Sequence, residues 1–385
     1  MAATRSSRPG RAAGEREQAD ACQLCWVSDT MPGLRREGVA GRFRYRDAEG
    51  RLLRDKASLA RIRSLAIPPA YRDVWICPLP EGHLQATGRD ARGRKQYRYH
   101  PQWQRQRGES KYEALQLFGL ALGQLRDKVR RRLGGDDTPT RERVLATLVR
   151  LLDTTWVRIG NEAYARDNGS YGLTTLQNRH ARLQGDALRL SFQGKSGVRH
   201  ALALSDPRVA RIVRRCRELP GQELFQYLDE VGEPHRVGSA DVNRWLQEAT
   251  GGATSAKITA KNFRTWHGSV LALQLLLAYC HAEGCLPRGT LGAVVAEVAA
   301  RLGNTPAVCR KSYVHPAVLA LCEAEAACEL LASDWLQSPP PQRGLSLAER
   351  QLMALLAHEA APLKGQAGTS LARQEGKLRR RKGRT

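Results

Sequence analysis

Between Tyr112 and Leu125 the apolar positions return at steps of three and four, as Tyr112, Leu115, Phe118, Leu122 and Leu125. That is the period of a helix with one buried face, and the basic run from Lys128 to Arg132 marks its end. Arg141 to Asp153 repeats the pattern, and helices are expected again over 207–218, 240–250, 260–283, 290–302 and 306–335. Over 180–204 the period falls to two. Leu188, Leu190 and Phe192 alternate with polar residues, as do Val198, His200, Leu202 and Leu204, while Gly185-Asp186 and Gly194-Lys195-Ser196-Gly197 supply turns. Three short antiparallel strands are predicted, with Lys195 at the tip of the second hairpin.

The first hundred residues show no helical period. Gly41–Asp47 and Arg51–Leu53 flank a turn, Tyr71–Ile76 alternates, and Leu84–Gly88 and Gln96–Tyr99 enclose a segment rich in Gly and Asp. The pattern predicts an α+β chain with a small β-rich N-terminal domain and a larger, mostly helical domain carrying the three-stranded sheet. The expected boundaries are a disordered basic arm over 1–22, the β-rich domain over 23–104, the helical domain over 105–336, and a Pro-rich, basic, flexible tail over 337–385. There are no internal repeats. The longest apolar run, Val270 to Cys280, is too short to span a bilayer and contains Gln274, and the N-terminus lacks the apolar stretch of a signal peptide. A cytoplasmic protein is expected.

Charge changes this picture more than composition does. In 385 residues, 62 Lys+Arg stand against 38 Asp+Glu, a formal charge of +24, and the 42% hydrophobic content is ordinary for a globular chain. The basic excess recurs along the whole sequence, which argues against a typical acidic cytosolic enzyme of small-molecule metabolism and for a polyanionic partner, duplex DNA above all. Nine cysteines give no disulfide framework in a reduced compartment, and Cys22-x-x-Cys25 lacks a second ligand pair at zinc spacing.

Six residues in four places carry candidate chemistry. They are Arg158 in Trp156–Glu162, Lys195 at the hairpin tip, Lys261 and Arg264 in Lys261–His267, and Asn304 and Tyr313 in Leu302–Pro316. Taken singly, each reads as a solvated polar residue. Lys261, Arg264 and His267 are spaced to share one helical face, and Phe263 and Trp266 pack that helix, so the basic groups suit phosphate contacts. Gly303 fits a helix C-terminus, with Thr305 and Pro306 starting the next helix; this is also the pattern of a helix-turn-helix DNA reader. Tyr313 lies near a helix end, three residues before Pro316 and between Lys311 and His315.

Taken together, Gly93-Arg94-Lys95-Gln96-Tyr97, R-I-G-N-E, G-K-S-G, K-N-F-R-T-W and L-G-N-T-P…S-Y, in that order over residues 40–330, resemble the small type IB DNA topoisomerases of poxviruses and bacteria. These share a catalytic fold with the tyrosine recombinases. The resemblance implies a C-shaped clamp around duplex DNA, acting as a monomer near the nucleoid. It implies that Tyr313 attacks phosphorus to form a 3′-phosphotyrosyl link, that Arg158 and Arg264 hold the non-bridging oxygens, and that Lys195 protonates the leaving 5′-oxygen. Lys261 matches an accessory lysine. Arg94, with Lys95, Gln96, Tyr97 and Arg89, is expected on the DNA near the cut, as is His267. Asn304 stands where many members carry histidine; its amide donates a hydrogen bond but does not titrate.

The chemistry agrees with these assignments. Phosphoryl transfer is catalysed by positioning and by charge stabilisation on the equatorial oxygens, which guanidinium groups match bidentately. A phenol with an ordinary pKa of about 10 needs nearby cations to ionise. No acidic cluster accompanies these motifs, so a reaction without metal or cofactor is expected. Two alternatives stand beside this reading. A tyrosine recombinase would use the same chemistry, but usually with H-x-x-R in place of Lys261-x-x-Arg264 and a helical N-terminal domain. A basic architectural DNA-binding protein accounts for the charge but not for the ordered Arg, Lys, Arg and Tyr.

Overall fold

The computed structural model describes residues 16–251, 258–323 and 327–359. The chain forms two compact units, one extending to Lys111 and the other starting at Tyr112.

The first unit is built on an antiparallel five-stranded sheet of order β2-β1-β3-β4-β5. Its strands are β1 (Leu34–Glu37), β2 (Arg44–Arg46), β3 (Arg72–Ile76), β4 (Leu84–Arg89) and β5 (Lys95–Tyr99). The inward residues Leu34, Val74, Ile76 and Ala86 meet Ile62 of helix α1 (Lys56–Ser64) in a small core. Strand β1 and helix α1 escape the sequence pattern for one reason. Each offers the core a single large buried residue, Leu34 or Ile62, so neither has a period to read. Asp55 starts α1 by accepting from the Ser58 amide at 2.7 Å, a side-chain cap. A second cluster stacks Trp26 on His83 at 3.9 Å, with Trp103 edge-on to both. Residues 16–21 are helical with Ala19 fully buried beside Leu24 and Trp103, so the predicted disordered arm does not extend this far; residues 1–15 lie outside the described residues.

The second unit packs helices around one large core. Helix α2 (Pro101–Arg132) buries the predicted Leu115, Phe118, Leu122 and Leu125. It starts ten residues earlier than the period suggests, with Pro101 at its first position, where proline loses no hydrogen bond. Helices α3 (Arg141–Thr155) and α7 (Ala260–Glu283) are buried on nearly every side, which explains their long apolar runs. Between them come α4 (Glu162–Asn168), the sheet β6 (Ala181–Gln184), β7 (Ala187–Gln193) and β8 (Arg199–Ser205), α5 (Pro207–Glu218), a hairpin of β9 (Gln226–Leu228) and β10 (Pro234–Arg236), and α6 (Ser239–Ala249). The three predicted strands pair in the order β6-β7-β8, and Lys195 sits in the turn between β7 and β8.

Two further differences bear on function. After α8 (Thr290–Leu302), the predicted helix over 306–335 is broken into α9 (Pro306–Ser312), α10 (Pro316–Leu321) and two short helices, Ala327–Ala332 and Asp334–Gln337. Pro316 cannot continue a helix but opens the next one, capped by His315 Nδ1 accepting from the Ala317 amide at 3.1 Å. The expected flexible tail from 337 is also corrected. Residues 347–359 form a helix that buries Leu352, Met353, Leu355 and Leu356 in the core of the second unit. The Pro-rich segment before it and the basic end after it hide a short amphipathic pattern; residues 360–385 lie outside the described residues. Among the described residues no helix is long and apolar enough to cross a membrane.

Candidate active site

A pocket of about 320 Å³ in the second unit is lined by Arg158, Lys195, Lys261, Arg264 and Tyr313, five residues spread over 155 positions of sequence, together with Tyr164. It forms where three chain reversals converge: the end of α3, the β7–β8 turn and the break between α9 and α10.

The first reversal turns on Trp156. This residue caps α3 in the left-handed conformation, φ 59°, which is costly for a bulky side chain. The turn aims the Trp156 carbonyl at Arg264, whose Nη1 donates to it, and Arg264 Nη2 donates to the Leu302 carbonyl at 2.7 Å. Arg264 is thus buried to 3% exposure between two helix ends, the places where unpaired carbonyls concentrate. Gly160, at φ 109°, then brings the chain against Gly172, where an added Cβ would lie 2.5 Å from the Gly160 Cα; only glycines allow this approach.

Arg158 lies beside Arg264. Its Nη2 donates to Asn304 Oδ1, and both terminal nitrogens lie 3.5 Å from the Gly303 carbonyl. A guanidinium only donates, so this bond fixes the Asn304 amide with its oxygen toward Arg158 and its Nδ2 away. That Nδ2 and Arg264 Nε are buried, and neither has a hydrogen-bond partner among the described residues.

Tyr313 is the C-terminal cap of α9, and the Arg264 guanidinium lies 4.9 Å from its ring centre. Burial alone would raise the phenol's pKa. The charge of Arg264, its hydrogen bond, and the charges of Arg158 and Lys261 outweigh burial, so the phenol is held below its ordinary value. Burial and then Arg158 in turn bring Arg264 down to about 10. Lys195 is exposed on its turn, where Ser196 is left-handed at φ 65°, and its Nζ lies 5.7 Å from the Tyr164 ring. Lys261 is exposed on the first turn of α7. All six predicted catalytic residues, Asn304 through its bond to Arg158, therefore belong to one cluster.

His267 does not. Its expected place on DNA is corrected: the side chain is buried, donates from Nε2 to Asp153 Oδ1 at 3.0 Å, and stacks on Trp156 at 5.1 Å. Each step of three residues falls back by about 60°, so His267 lies about 120° round the helix from Lys261, enough to leave Lys261 outside while His267 turns inward. Asp153 also receives Arg126 Nε at 2.8 Å, and Arg126 Nη2 reaches Glu349 of the 347–359 helix at 2.7 Å. Sequence reasoning missed this supporting network, because Arg126 and Glu349 lie 223 positions apart and no local signal joins them.

The predicted DNA-contacting set is gathered on the β4–β5 hairpin of the first unit. Asp90 holds Arg94 Nε at 2.8 Å and Gln96 Nε2 at 2.9 Å, Arg89 Nη1 donates to the Gly93 carbonyl at 3.0 Å, and Lys95 pairs with Asp29. Tyr97 is 49% exposed and stacks on Tyr99. The hairpin presents planar and cationic groups together, a surface suited to a nucleic-acid backbone.

The comparisons with known proteins point the same way in both units. Residues 100–328 match the family model of the eukaryotic DNA topoisomerase I catalytic core, and residues 42–90 match that of the bacterial DNA topoisomerase IB N-terminal domain. The chain is also 31% identical over 292 residues to a DNA topoisomerase 1B of Acanthamoeba polyphaga mimivirus, an alignment covering 74% of this chain and 85% of that protein.

Proposed function

Because this chain belongs to the type IB DNA topoisomerases, we propose that the pocket of its second unit cuts one strand of duplex DNA and rejoins it after rotation. The observation that carries the residue assignments is the convergence of Arg158, Lys195, Lys261 and Arg264 on Tyr313 in one pocket, with Asn304 bonded to Arg158. The Tyr313 Oη, its proton lost to solvent, bonds to the scissile phosphorus while the bond from phosphorus to the 5′-oxygen breaks. Lys195 gives a proton to that leaving oxygen, producing a 3′-phosphotyrosyl link and a 5′-hydroxyl. Arg158, Arg264 and Asn304 hold the non-bridging oxygens as charge develops on them. Rejoining runs the same steps backward: the 5′-hydroxyl attacks, its proton returns to Lys195, and Tyr313 leaves. Bond energy is kept in the link, so no ATP is consumed.

The β4–β5 hairpin, with Arg94 foremost, is the reading for contacts near the cut. One chain carries the whole set, and a monomer in the cytoplasm with the nucleoid is the acting species. Supercoiled plasmid incubated in EDTA without ATP tests the function: both positive and negative supercoils relax, and Tyr313→Phe keeps DNA binding while losing relaxation. A requirement for Mg²⁺, or relaxation of negative supercoils alone, contradicts the reading.

A further inference from the structure

His200 takes no part in the steps above, yet its ring lies between two of the elements that perform them. It is paired across the sheet with Phe192 and stacked on that ring at 5.1 Å. On one side it lies against Gly194, the residue before Lys195: an added Cβ there would lie 2.6 Å from the ring's Cδ2 and Nε2. On the other it lies against Gly303, the residue before Asn304, where a Cβ would lie 2.9 Å from Cε1. Both glycines are therefore matched to the thickness of one imidazole. Gly303 is also the residue whose carbonyl faces Arg158. Burial, then the charges of Arg158 and Arg264, lower the His200 pKa, so the ring sits neutral as a spacer beside the cations.

We propose that His200 is the positioning residue for Lys195, its ring setting the root of the β7–β8 turn at a fixed distance from the Gly303–Asn304 turn. The inference rests on the reading of Lys195 as the general acid. The physical need is clear. Lys195, Ser196 and Gly197 are exposed, and the turn is closed by two backbone bonds, Gly194 N to Val198 O at 2.7 Å and Gly197 N to Gly194 O at 3.2 Å. A lysine on such a tip reaches a 5′-oxygen reliably only if the strand ends beneath it are fixed against the rest of the site, since displacement by about 1 Å costs on the order of 100-fold in rate.

The experiment is single-turnover cleavage by the full chain of two DNA substrates, one normal and one with sulfur replacing the bridging 5′-oxygen. A thiolate leaves without a proton, so defects in acid delivery vanish on it while defects in phosphate binding persist. His200→Ala is expected to slow cleavage of the normal substrate by about 30-fold and to come within about threefold of the unaltered protein on the sulfur substrate. His200→Phe, which keeps a ring of similar thickness, retains most of the normal rate. Gly194→Ala tests the same contact from the other side if His200→Ala fails to fold. Its φ of −92° carries no strain, and its Cβ must push the turn off the ring, giving the same sulfur-rescued defect. In the double variant the two defects are coupled, not additive. Lys195→Ala, run alongside, separates the premises. If Lys195→Ala is rescued by sulfur and neither His200→Ala nor Gly194→Ala is, the positioning role is overturned alone. If Lys195→Ala is not rescued, the general-acid reading falls and the proposal falls with it. Normal rates for His200→Ala on both substrates also overturn it.

Discussion

At the scale of single residues, the active site is a set of donors held by backbone carbonyls. Arg264 spends two of its terminal donors on Trp156 and Leu302, leaving Nε and its charge for Tyr313 and an anion. Replacing it removes the largest influence that lowers the Tyr313 phenol, while burial, which raises it, remains. Arg264→Ala should therefore raise the phenol's pKa, with the charges of Arg158 and Lys261 still acting to lower it. Cleavage depends on the phenolate, so the deficit of the variant is greatest well below the unaltered protein's phenol pKa. It narrows as pH rises past that pKa, and a residual loss from missing charge stabilisation remains. Single-turnover cleavage over pH 7 to 10.5 checks this; parallel profiles throughout would mean that Arg264 does not activate the tyrosine. The variant also leaves two carbonyls unpaired, at about 1–3 kcal/mol each, so the measurement belongs well below its melting temperature. Asn304 shows how much one residue tells alone. Its amide type implied a donor that does not titrate, but which way the amide faces was settled only by Arg158.

At the scale of elements, helix ends and breaks do the placing. Tyr313 ends α9 because Pro316 must begin a new helix, and that break turns the phenol toward the end of α3. Behind the α3 end, Asp153 joins His267, Arg126 and, through Arg126, Glu349 of the 347–359 helix. Burial opposes the Asp153 charge, but the hydrogen bonds of His267 and Arg126 and the Arg126 charge win, holding its carboxyl far below the usual range. A carboxyl depressed in the folded state stabilises fully above its unfolded pKa of about 3.9 and loses that contribution as pH falls through and below it. Asp153→Asn is expected to cost about 3 kcal/mol at pH 7, because Arg126 is left partly unpaired in the core. The gap to the unaltered protein should narrow as pH is lowered from 5 to 3. Urea unfolding at a series of pH values reads both; a pH-independent gap would place the loss in packing alone. Glu349→Ala probes the same network from the 347–359 helix and should loosen Trp266 as well, since Trp266 Nε1 donates to Glu349 at 3.0 Å.

At the scale of the whole molecule, charge and division into two units set the behaviour. A net charge of +24 on a DNA-acting chain predicts steep salt dependence, because each neutralised phosphate releases counterions. Binding to duplex DNA should weaken by on the order of 10³ between 50 and 200 mM salt if six or more phosphates are met, measured as the slope of log affinity on log salt concentration. A slope near zero would leave no room for extensive phosphate contact. Arg94→Ala in the first unit should weaken pre-cleavage binding or slow cleavage on ordinary DNA while leaving the fold intact, since its side chain is held at the surface by Asp90. Unchanged single-turnover cleavage and binding would remove Arg94 from the interface.

The sequence by itself determined the elements whose burial is periodic: α2 from Leu115 on, α3, α5, α7, α8 (Thr290–Leu302), and the β6-β7-β8 sheet with Lys195 at its turn. It also singled out the six residues proposed for the chemistry, because their types and order are carried by short local motifs. It left unread the strand β1, the helix α1 and the 347–359 helix, where one large apolar residue or a short run between polar segments gives no period. What only the tertiary structure decided was direction. Lys261 and His267 lie on the same helix, yet one lines the pocket and the other is locked to Asp153, since six residues leave them about 120° apart round the axis. The partners that aim Arg264, Arg158 and Asn304 come from carbonyls and amides 38 to 146 positions away. Those backbone groups exist in every residue and leave no mark in sequence; only the fold selects which of them end up unpaired at a helix end and within reach of a guanidinium.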